Sequence, residues 1–427
     1  MVRRLLTAAS VVVAVAGCGE QQRGEPRAAT TGATTPTITA TDPVPAPTPT
    51  PAVRIGAEEL GSPAGRRLRG LRVGLIANRA SVTSDGRSSV RALRDHGVRV
   101  VRLFSPEHGY GTQGAAGAQQ DDSRAFGVPV VSLYGANKAP TARDLRGLDA
   151  LVYDLQDVGV RFYTYVSTEI LAMRAAARAG VPFVVLDRPN PLGGELVAGP
   201  VRNGPRTFVA TAPGPLVYGL TSGEMARYVN AEIRPRAKLT VIRMRGWRRD
   251  MTWPDTGRPW TPPSPGLRTP QAALTYPGLA LFEGTSVSVG GGTRRSYQML
   301  CAPWLKGREI AAGASKLGIP ATPLTVVPRP VKSAREPKFR GRRCRGALLH
   351  PGGERINGYE VGLGMLLKLR RSRRFRWLQG GEQTDAILGT PAFRRRVDAG
   401  WSLQRILAAE APAVRAWRAR RAPYLLY

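Results

Sequence analysis

The stretch Phe104-Ser105-Pro106-Glu107-His108-Gly109-Tyr110-Gly111 is the part of the sequence from which the fold of this chain can be predicted. Residues 98–103 before it are mostly apolar and β-branched, which predicts a buried strand. Pro106 and Gly109 end that strand, and Glu107 and His108 lie between them. In an open α/β sheet, functional groups gather in the loops after the carboxyl ends of the strands. The stretch therefore predicts a site at a sheet edge, with a helix cap or a surface turn as the alternative.

The same pattern of an apolar run followed by polar residues recurs along the chain. Strands are predicted at residues 71–77, 98–104, 128–134, 151–155, 182–186 and 238–244, and helices at 88–96, 162–179 and 221–233. The strands are continuous apolar runs rather than alternating ones, as expected when helices cover both faces of a sheet. Their alternation with helical segments favours βαβ units, so the fold class is α/β with a parallel sheet.

Polar side chains follow each predicted strand, and a parallel sheet brings such positions to one edge. They are carboxylates and amides, namely Asn78, Glu107, Asp154, Gln156, Asp157 and Asp187. This convergence is the strongest indication of an active site that the residues themselves provide.

The pattern changes from about Cys301. Helical segments at 306–317, 359–369 and 403–418 alternate with short strands at 324–327 and 347–349. This predicts a smaller α+β domain that closes the cleft. We therefore divide the folded chain into a catalytic domain, residues 54–300, and a C-terminal domain, residues 301–427.

The first 18 residues have the pattern of a secretion signal. Arg3 and Arg4 precede the apolar run 5–16, which is too short to span a bilayer as a mature helix. The run leads into Val15-Ala16-Gly17-Cys18, which resembles a bacterial lipobox, so we expect lipidation of Cys18. Residues 19–53, rich in Thr, Pro, Ala and Gly, are interpreted as an extended tether. These features predict an exported protein anchored by lipid to the outer face of the cytoplasmic membrane, with an ordinary secretory signal as the alternative.

Two further cysteines, Cys301 and Cys344, lie in the folded part. In an oxidising compartment they can pair, provided that their Cα atoms are close enough. We expect them to be either paired or both buried.

The chain is strongly basic. Its 427 residues include 63 Lys and Arg against 30 Asp and Glu, a formal net charge of +33. This balance suits a polyanionic partner such as an acidic wall polymer, although a general bias towards Arg is an equal explanation. No basic block is interleaved with aromatic residues, and the run 370–376 is interpreted as a solvated helix end, so no nucleic-acid partner is predicted.

Missing motifs disfavour several classes of protein. The chain has no Gly-x-Gly-x-x-Gly after its first strand, no P-loop and no Gly-x-Ser-x-Gly elbow. With three histidines and no His-Glu-x-x-His, a metal on His108 is a minor alternative, its partners being Glu107, Asp121 or Asp122; no cofactor is predicted. The remaining carboxylates, amides, arginines and aromatics suit glycoside hydrolysis, in which a carboxylic acid protonates the leaving oxygen.

Five motifs in order resemble the NamZ-type exo-β-N-acetylmuramidases, once catalogued as a domain of unknown function. The motifs are Phe104–Gly109, Asp154–Tyr165, Asp187–Gly194, Tyr276–Gly278 and Glu283–Thr285. The resemblance extends from about Ile55 to Tyr427. It implies a Rossmann-like domain with the active site, a smaller C-terminal domain, and release of N-acetylmuramic acid from the non-reducing ends of peptidoglycan fragments.

The resemblance also implies roles for residues. Glu107 matches the favoured catalytic glutamate and Glu283 a second one; we expect Glu107 to act as general acid, with Glu283 or Asp157 as the second polar group. Arg161 and Arg188 are expected to hold a substrate carboxylate or hydroxyls, or else to pin loops by ion pairs. The other predicted substrate-binding residues are His108, Asp154, Gln156, Tyr163, Asp187 and Asn190.

Three positions depart from the family pattern. Tyr218 stands where His is expected, Gly266 where Asn is usual, and Gly291 where an Arg is expected that would bind the lactyl carboxylate. Arg294 or Arg295 are the candidates to replace that Arg. The departures and the positive charge motivate an alternative function, a catalytically inactive lipoprotein that binds peptidoglycan.

Overall fold

A seven-stranded sheet is the centre of the N-terminal part of the chain. The computed structural model describes residues 52–115, 117–118, 123–329, 337–352 and 355–427. The strands of this sheet are β1 (Arg72–Ala77), β2 (Arg99–Ser105), β3 (Ser123–Ala125), β4 (Val128–Ser132), β5 (Ala150–Asp154), β6 (Phe183–Leu186) and β7 (Leu239–Ile242). Their order is β3-β4-β2-β1-β5-β6-β7, and all neighbours are parallel except β3 and β4. Apart from β3, this is the Rossmann order, in which the chain winds outward from β1 in both directions.

The predicted parallel α/β sheet is confirmed. Each predicted strand is present, with ends that differ by at most a few residues. The edge strand β3 was not predicted because it has only three residues and two of them are exposed, so it carries no apolar run.

Helices cover both faces of the sheet. The helices of the N-terminal part are α1 (Pro63–Arg66), α2 (Ser89–Asp95), α3 (Ala142–Leu145), α4 (Thr164–Arg178) and α5 (Ser222–Glu232); those that follow are α6 (Pro270–Leu279), α7 (Gly307–Ser315), α8 (Gly358–Arg370), α9 (Glu382–Leu388), α10 (Ala392–Asp398) and α11 (Leu403–Arg421). Alternate residues of β1 enter two separate cores: Leu75 belongs to the same core as Leu93 of α2, whereas Ile76 belongs to the core that contains Tyr153. The described part of the chain contains no helix with the length and apolarity of a membrane span.

The helices begin and end where local sequence signals require. Thr221 caps α5 in a capping box, because its hydroxyl accepts from Glu224 N–H while the Glu224 side chain accepts from Thr221 N–H. The alanine-rich α4 ends just before Gly180, whose φ of 70° lies in the left-handed region that favours glycine. Both helices were predicted, and both begin beside the carboxyl ends of the sheet strands.

A second, smaller sheet lies in the C-terminal part. Its strands β8 (Met299–Ala302), β9 (Ala321–Val326) and β10 (Cys344–Leu349) are antiparallel, with β10 in the middle. The predicted α+β character of this part is confirmed. Residues 52–427 nevertheless belong to one compact unit, so the division into 54–300 and 301–427 stays a prediction.

The two cysteines of the folded part lie on adjacent strands of this small sheet. Cys301 on β8 and Cys344 on β10 are buried and both are free thiols. Of the two predicted states, paired or both buried, the structure has the second. A hydrogen bond between the thiols raises the pKa of Cys301 and lowers the pKa of Cys344.

The predicted leader lies outside the described residues. This applies to the signal peptide, to Cys18 and to the tether as far as residue 51. Val53, which the tether prediction includes, is buried, and its N–H donates to the Thr256 carbonyl over 2.9 Å. The ordered chain therefore begins no later than Val53.

Helices α6 and α8 cross at glycines and join the two parts of the fold. A Cβ on Gly278 would lie 2.7 Å from the Cα of Gly362 and would overlap the carbonyl of Gly358. A Cβ on Gly362 would in turn overlap the backbone of Gly278. The two backbones are therefore in direct contact. The sequence pattern does not predict α6, because Pro277 and Gly278 are typical helix breakers, yet α6 ends only one residue beyond them.

We predict that Gly362→Ala destabilises the protein by about 1–3 kcal/mol, because the new methyl group meets rigid backbone. Urea unfolding measures the change in the free energy of unfolding. The control is Gly313→Ala in α7, where a Cβ would meet only the flexible end of Lys368; there alanine should be neutral or stabilising by up to about 1 kcal/mol. Equal effects of the two substitutions would contradict the proposed close contact.

Candidate active site

A cleft of about 370 Å³ opens where the loop after β2 faces the C-terminal part. Four of the predicted site residues line it: Glu107, His108, Tyr163 and Glu283. Its wall also contains Tyr276 and Tyr297, together with Arg268 and Lys338, none of which was assigned a role from sequence. The structure therefore brings both predicted glutamates to one cavity.

Glu107 is fixed by two hydrogen bonds at the carboxyl end of β2. Its Oε1 accepts from the Gly117 N–H and its Oε2 from the Thr164 hydroxyl, each over 2.7 Å. Thr164 is the first residue of α4, so the helix start is directed at the carboxyl group. The side chain is almost fully buried and has one defined orientation in the cleft wall.

His108, the next residue, has a backbone that L-residues rarely adopt. Its φ is 73°, a left-handed conformation that occurs at functional sites when surrounding structure enforces it. Its Nδ1 lies 2.7 Å from the Gly114 carbonyl, which can only accept, so Nδ1 carries the proton. Burial lowers the pKa of His108, and the charge of Glu107 opposes that effect only partly. The ring is therefore neutral near pH 7 and leaves Nε2 as a hydrogen-bond acceptor.

Glu283 enters the cleft from the segment that follows α6. Its Oε1 accepts from the Tyr297 hydroxyl, and its Oε2 lies 3.3 Å from Gln383 Nε2. Lys338 Nζ donates to four carbonyls around it over 2.7–2.9 Å, those of Phe282, Glu283, Thr285 and Val287. This segment is therefore held as a rigid turn that carries the carboxylate.

An aromatic wall connects the two glutamates. Tyr276 has its ring centroid 4.5 Å from that of Tyr297, 5.0 Å from that of Phe162 and 6.2 Å from that of Tyr163. Burial raises the pKa of Tyr276 well above its usual range, and the negative charges of Glu283 and Glu107 raise it further. Such flat apolar surfaces suit the apolar faces of sugars.

Seven predicted site residues do not line this cleft. They are Asp154, Gln156, Asp157, Arg161, Asp187, Arg188 and Asn190. All are buried, and each contacts neighbouring loops instead. Their roles toward substrate stay predictions.

Asp154 and Arg188 form a buried ion pair. Arg188 Nε lies 2.5 Å from Asp154 Oδ1 and Nη2 lies 2.9 Å from Oδ2, while Ser89 also donates to Oδ2. This two-pronged pair joins the loops after β5 and β6. It matches the alternative that the sequence left open for Arg188, an ion pair that pins loops.

Arg161 has no carboxylate partner among the described residues and is fully buried. Its Nη1 donates to the carbonyls of Pro200 and Gly214 over 3.0 and 2.7 Å, and its Nη2 donates to that of Leu388. Burial lowers the pKa of Arg161 to about 9. The side chain thus joins three backbone segments from different parts of the chain.

The remaining rim residues bind main chain or hydroxyl groups. Asp187 Oδ2 accepts from the Thr221 hydroxyl over 2.8 Å and from the Tyr427 hydroxyl over 2.7 Å. Gln156 and Asn190 donate their amide N–H groups to carbonyls of neighbouring loops over 2.8 and 3.0 Å. These contacts fix the loop conformations behind the cleft.

Asp157 lies in the same buried layer. Its Oδ2 accepts from the Gly159 N–H over 2.9 Å and from the Tyr218 hydroxyl, whereas Oδ1 has no partner in the described part of the chain. Burial raises the pKa of Asp157 to about 6. Glu169 on α4 is also fully buried with neither oxygen partnered within the described residues, and burial raises its pKa well above the usual range.

The three departures from the family pattern occupy different positions. Tyr218 is fully buried and donates to Asp157, away from the cleft. Gly266 lines the cleft beneath Tyr297, where a Cβ would lie 2.8 Å from the ring. Gly291 also lines the cleft and borders open space. Neither Arg294 nor Arg295 lines the cleft, whereas Arg268 does.

Among the described residues no group of three or more His, Cys, Asp or Glu has the arrangement of a metal site. Asp121 and Asp122, considered as partners of His108, lie outside those residues. What the cleft offers chemically is two fixed carboxyl groups, a neutral imidazole and aromatic surface. That combination defines a class, the glycoside hydrolases that use paired carboxyl groups.

Comparison with known proteins supports the assignment to this class. Family models described as exo-beta-N-acetylmuramidase NamZ, N-terminal and C-terminal, match residues 73–271 and 274–427. The chain is 34% identical over 383 residues to the peptidoglycan beta-N-acetylmuramidase NamZ of Bacillus subtilis (strain 168), which covers 88% of this chain and 91% of that protein. The chain belongs to the exo-β-N-acetylmuramidase NamZ family.

Two solved structures share the fold. Both are DUF1343 family proteins of Bacteroides fragilis NCTC 9343, each 29% identical to this chain, with TM-scores of 0.77 and 0.72. Each alignment covers 88% of this chain and 99% of the other. The family and the Rossmann-like fold inferred from the motifs are thereby confirmed.

We predict that Asp157 makes stability depend on pH. An aspartate in the unfolded chain titrates near about pH 4, but the folded pKa is about 6. The stabilising contribution is therefore complete below about pH 4 and is lost as the pH rises through about 6. The melting temperature should therefore fall mainly between about pH 4 and pH 6 and level off above that range, and Asp157→Asn should reduce that fall.

The control for this experiment is Asp95→Asn, which removes an exposed carboxylate with only a surface ion pair. This variant should keep the slope of the unaltered protein. Because burial also raises the pKa of Asp187 to about 6, some slope should remain in Asp157→Asn. An unchanged slope in Asp157→Asn would contradict the assignment.

Proposed function

We propose that this protein is an exo-acting glycoside hydrolase that releases N-acetylmuramic acid from the non-reducing ends of peptidoglycan fragments. The observation that carries the proposal is that Glu107, within Phe104–Gly109, lines the same cleft as Glu283. Membership of the NamZ family and the similarity to the peptidoglycan beta-N-acetylmuramidase of Bacillus subtilis support the choice of substrate.

The geometry suggests a division of tasks between the carboxyl groups. Glu107, fixed by Gly117 and Thr164, delivers the proton to the leaving glycosidic oxygen as that bond breaks. Glu283, whose Oε1 accepts a hydrogen bond from the Tyr297 hydroxyl, stabilises the positive charge that develops on the sugar ring. His108 Nε2 accepts a hydrogen bond from a sugar hydroxyl.

The alternative, a catalytically inactive peptidoglycan-binding lipoprotein, has less support. Both glutamates keep defined hydrogen-bond partners in the cleft. Of the three departures, Tyr218 lies outside the cleft and Gly266 makes room for the Tyr297 ring. Only Gly291 removes a group that would face substrate.

We predict that Glu107→Gln lowers the rate by roughly 10²–10⁴-fold, the range for general acid–base catalysis. The amide can still accept from Gly117 and donate to the Thr164 hydroxyl, so the melting temperature should barely change. Hydrolysis of a chromogenic N-acetylmuramide measures the rate, and a substrate with a good leaving group should recover much of it. Glu309→Gln, an exposed site, is the control. Full activity of Glu107→Gln would exclude this role.

We also propose that Arg268 binds the lactyl carboxylate in place of the Arg expected at position 291. Arg268 lines the cleft and forms no hydrogen bond or ion pair within the described part of the chain. Lys338, the other cation of the wall, already donates to four carbonyls. Arg268 is therefore the cation best placed to pair with an anionic substituent on the sugar.

We predict that Arg268→Gln raises KM for the muramide by about tenfold to a hundredfold, as expected for loss of a charged hydrogen bond. Its effect on residual turnover of the matching N-acetylglucosaminide, which has no carboxylate, should be small. Arg294→Gln, exposed and outside the cleft, should behave like the unaltered enzyme. If Arg294→Gln raises KM and Arg268→Gln does not, Arg294 rather than Arg268 binds the carboxylate.

We propose, finally, that the protein is exported and anchored to the membrane by lipid at Cys18. The support is the sequence itself: Arg3 and Arg4, the apolar run 5–16 and the lipobox-like Val15–Cys18. Placing the enzyme at the cell surface brings it to its proposed substrate. Cys18→Ser should move the protein from the membrane fraction to a soluble one; retention in membranes would contradict lipidation.

A further inference from the structure

A second cavity lies apart from the proposed active site. It has a volume of about 260 Å³ and is bordered by α4, the loop 201–214, α5 and α11. None of its lining residues lines the cleft. Four arginines line it, namely Arg174, Arg202, Arg206 and Arg420, and the acidic residue among the lining residues is Glu232.

These arginines lack partners of opposite charge. Within the described ranges none of the four forms an ion pair, and the buried Nε atoms of Arg174 and Arg202 have no hydrogen-bond partner. Buried polar groups in folded proteins are normally hydrogen-bonded, so such atoms call for an explanation. Burial lowers the pKa of Arg174 and that of Arg202, and the charge of Arg206 lowers both further. The four arginines thus line one cavity with no carboxylate paired to them among the described residues.

The walls of the cavity are fixed in advance. Arg161 Nη1 bonds the carbonyls of Pro200 and Gly214, the two ends of the loop that carries Arg202 and Arg206. Tyr228 on the opposite wall is buried, and its ring centroid lies 4.8 Å from that of Trp417. A ligand would therefore find the loop already in position, which reduces the entropy cost of binding.

We propose that this cavity binds a phosphate-class oxyanion, a phosphoryl group as a monoester or a diester. Arginine offers a planar fork of donors that matches phosphate oxygens, and several arginines together match a group with several charged oxygens. The volume is just below the range of ligand sites, which begins near about 300 Å³, so it suits one small group rather than a disaccharide. This site is independent of the proposed glycosidase activity.

Isothermal titration calorimetry of the full-length protein tests this, with inorganic pyrophosphate as the probe at constant ionic strength. Saturable binding at one site is expected, and Arg202→Gln combined with Arg206→Gln should weaken it by about tenfold or more. The charge-matched control is Arg371→Gln with Arg373→Gln, two exposed residues outside the cavity; it should bind like the unaltered protein. Equal weakening in both double variants, or no saturable binding at all, would overturn the proposal.

Two further arms distinguish the source of the phosphoryl group. Glycerol 3-phosphate probes a monoester and glycerophosphoglycerol a diester, and the tighter ligand identifies the class. Melting curves of each variant establish that it is folded. If the double variant has a lowered melting temperature, the single substitution Arg206→Gln at an exposed residue replaces it in the titration, and weaker pyrophosphate binding is again expected. Unaltered pyrophosphate binding in that folded variant would count against the site.

Discussion

The contact between the backbones of α6 and α8 fixes the part of the cleft wall that contains Tyr276 and leads to Glu283. At Gly278 and Gly362 no side chain separates the helices, so they approach as closely as two main chains can. Helix α6 carries Tyr276 into the wall and leads directly to Glu283, while α8 belongs to the C-terminal part. The position of the segment that carries Glu283 thus depends on a contact that has no side chain with which to adapt.

Behind the cleft, the rim of the sheet is a layer of polar groups that bind each other. Burial of the Asp154–Arg188 pair and of Arg161 removes charge from water, a cost that their hydrogen bonds to carboxylate and carbonyl oxygens offset in part. The contacts in this layer hold each loop after a strand in one conformation. Glu107 and His108, which line the cleft, are held separately by Gly117, Thr164 and Gly114.

Most of the fold could be predicted from periodicity, because buried parallel strands leave continuous apolar runs such as residues 71–77. The cleft glutamates could also be found, since Glu107 follows a strand and both glutamates lie in recognisable motifs. The sequence could not show which of the polar residues after the strands line the cleft. The side of a loop on which a side chain lies depends on partners that are distant in sequence. Arg161, for example, donates to the carbonyl of Leu388, which is 227 residues away in the sequence. Helix α6 escaped prediction for a different reason, since tertiary packing outweighs the local effect of Pro277.

The hydrogen bond from Tyr427 to Asp187 has a consequence for the order in which the chain can fold. It closes a separation of 240 residues, and the neighbouring Leu426 N–H donates to Glu224 in the same region. A chain that leaves the ribosome or an export channel N-terminus first exposes the whole sheet before these partners emerge. Until then Asp187, the residue directly after β6, lacks one of its donors, and the polar rim of the sheet is incomplete. The last contacts of the sheet rim are therefore made by residues 426 and 427, which are far in sequence from the strands that they support.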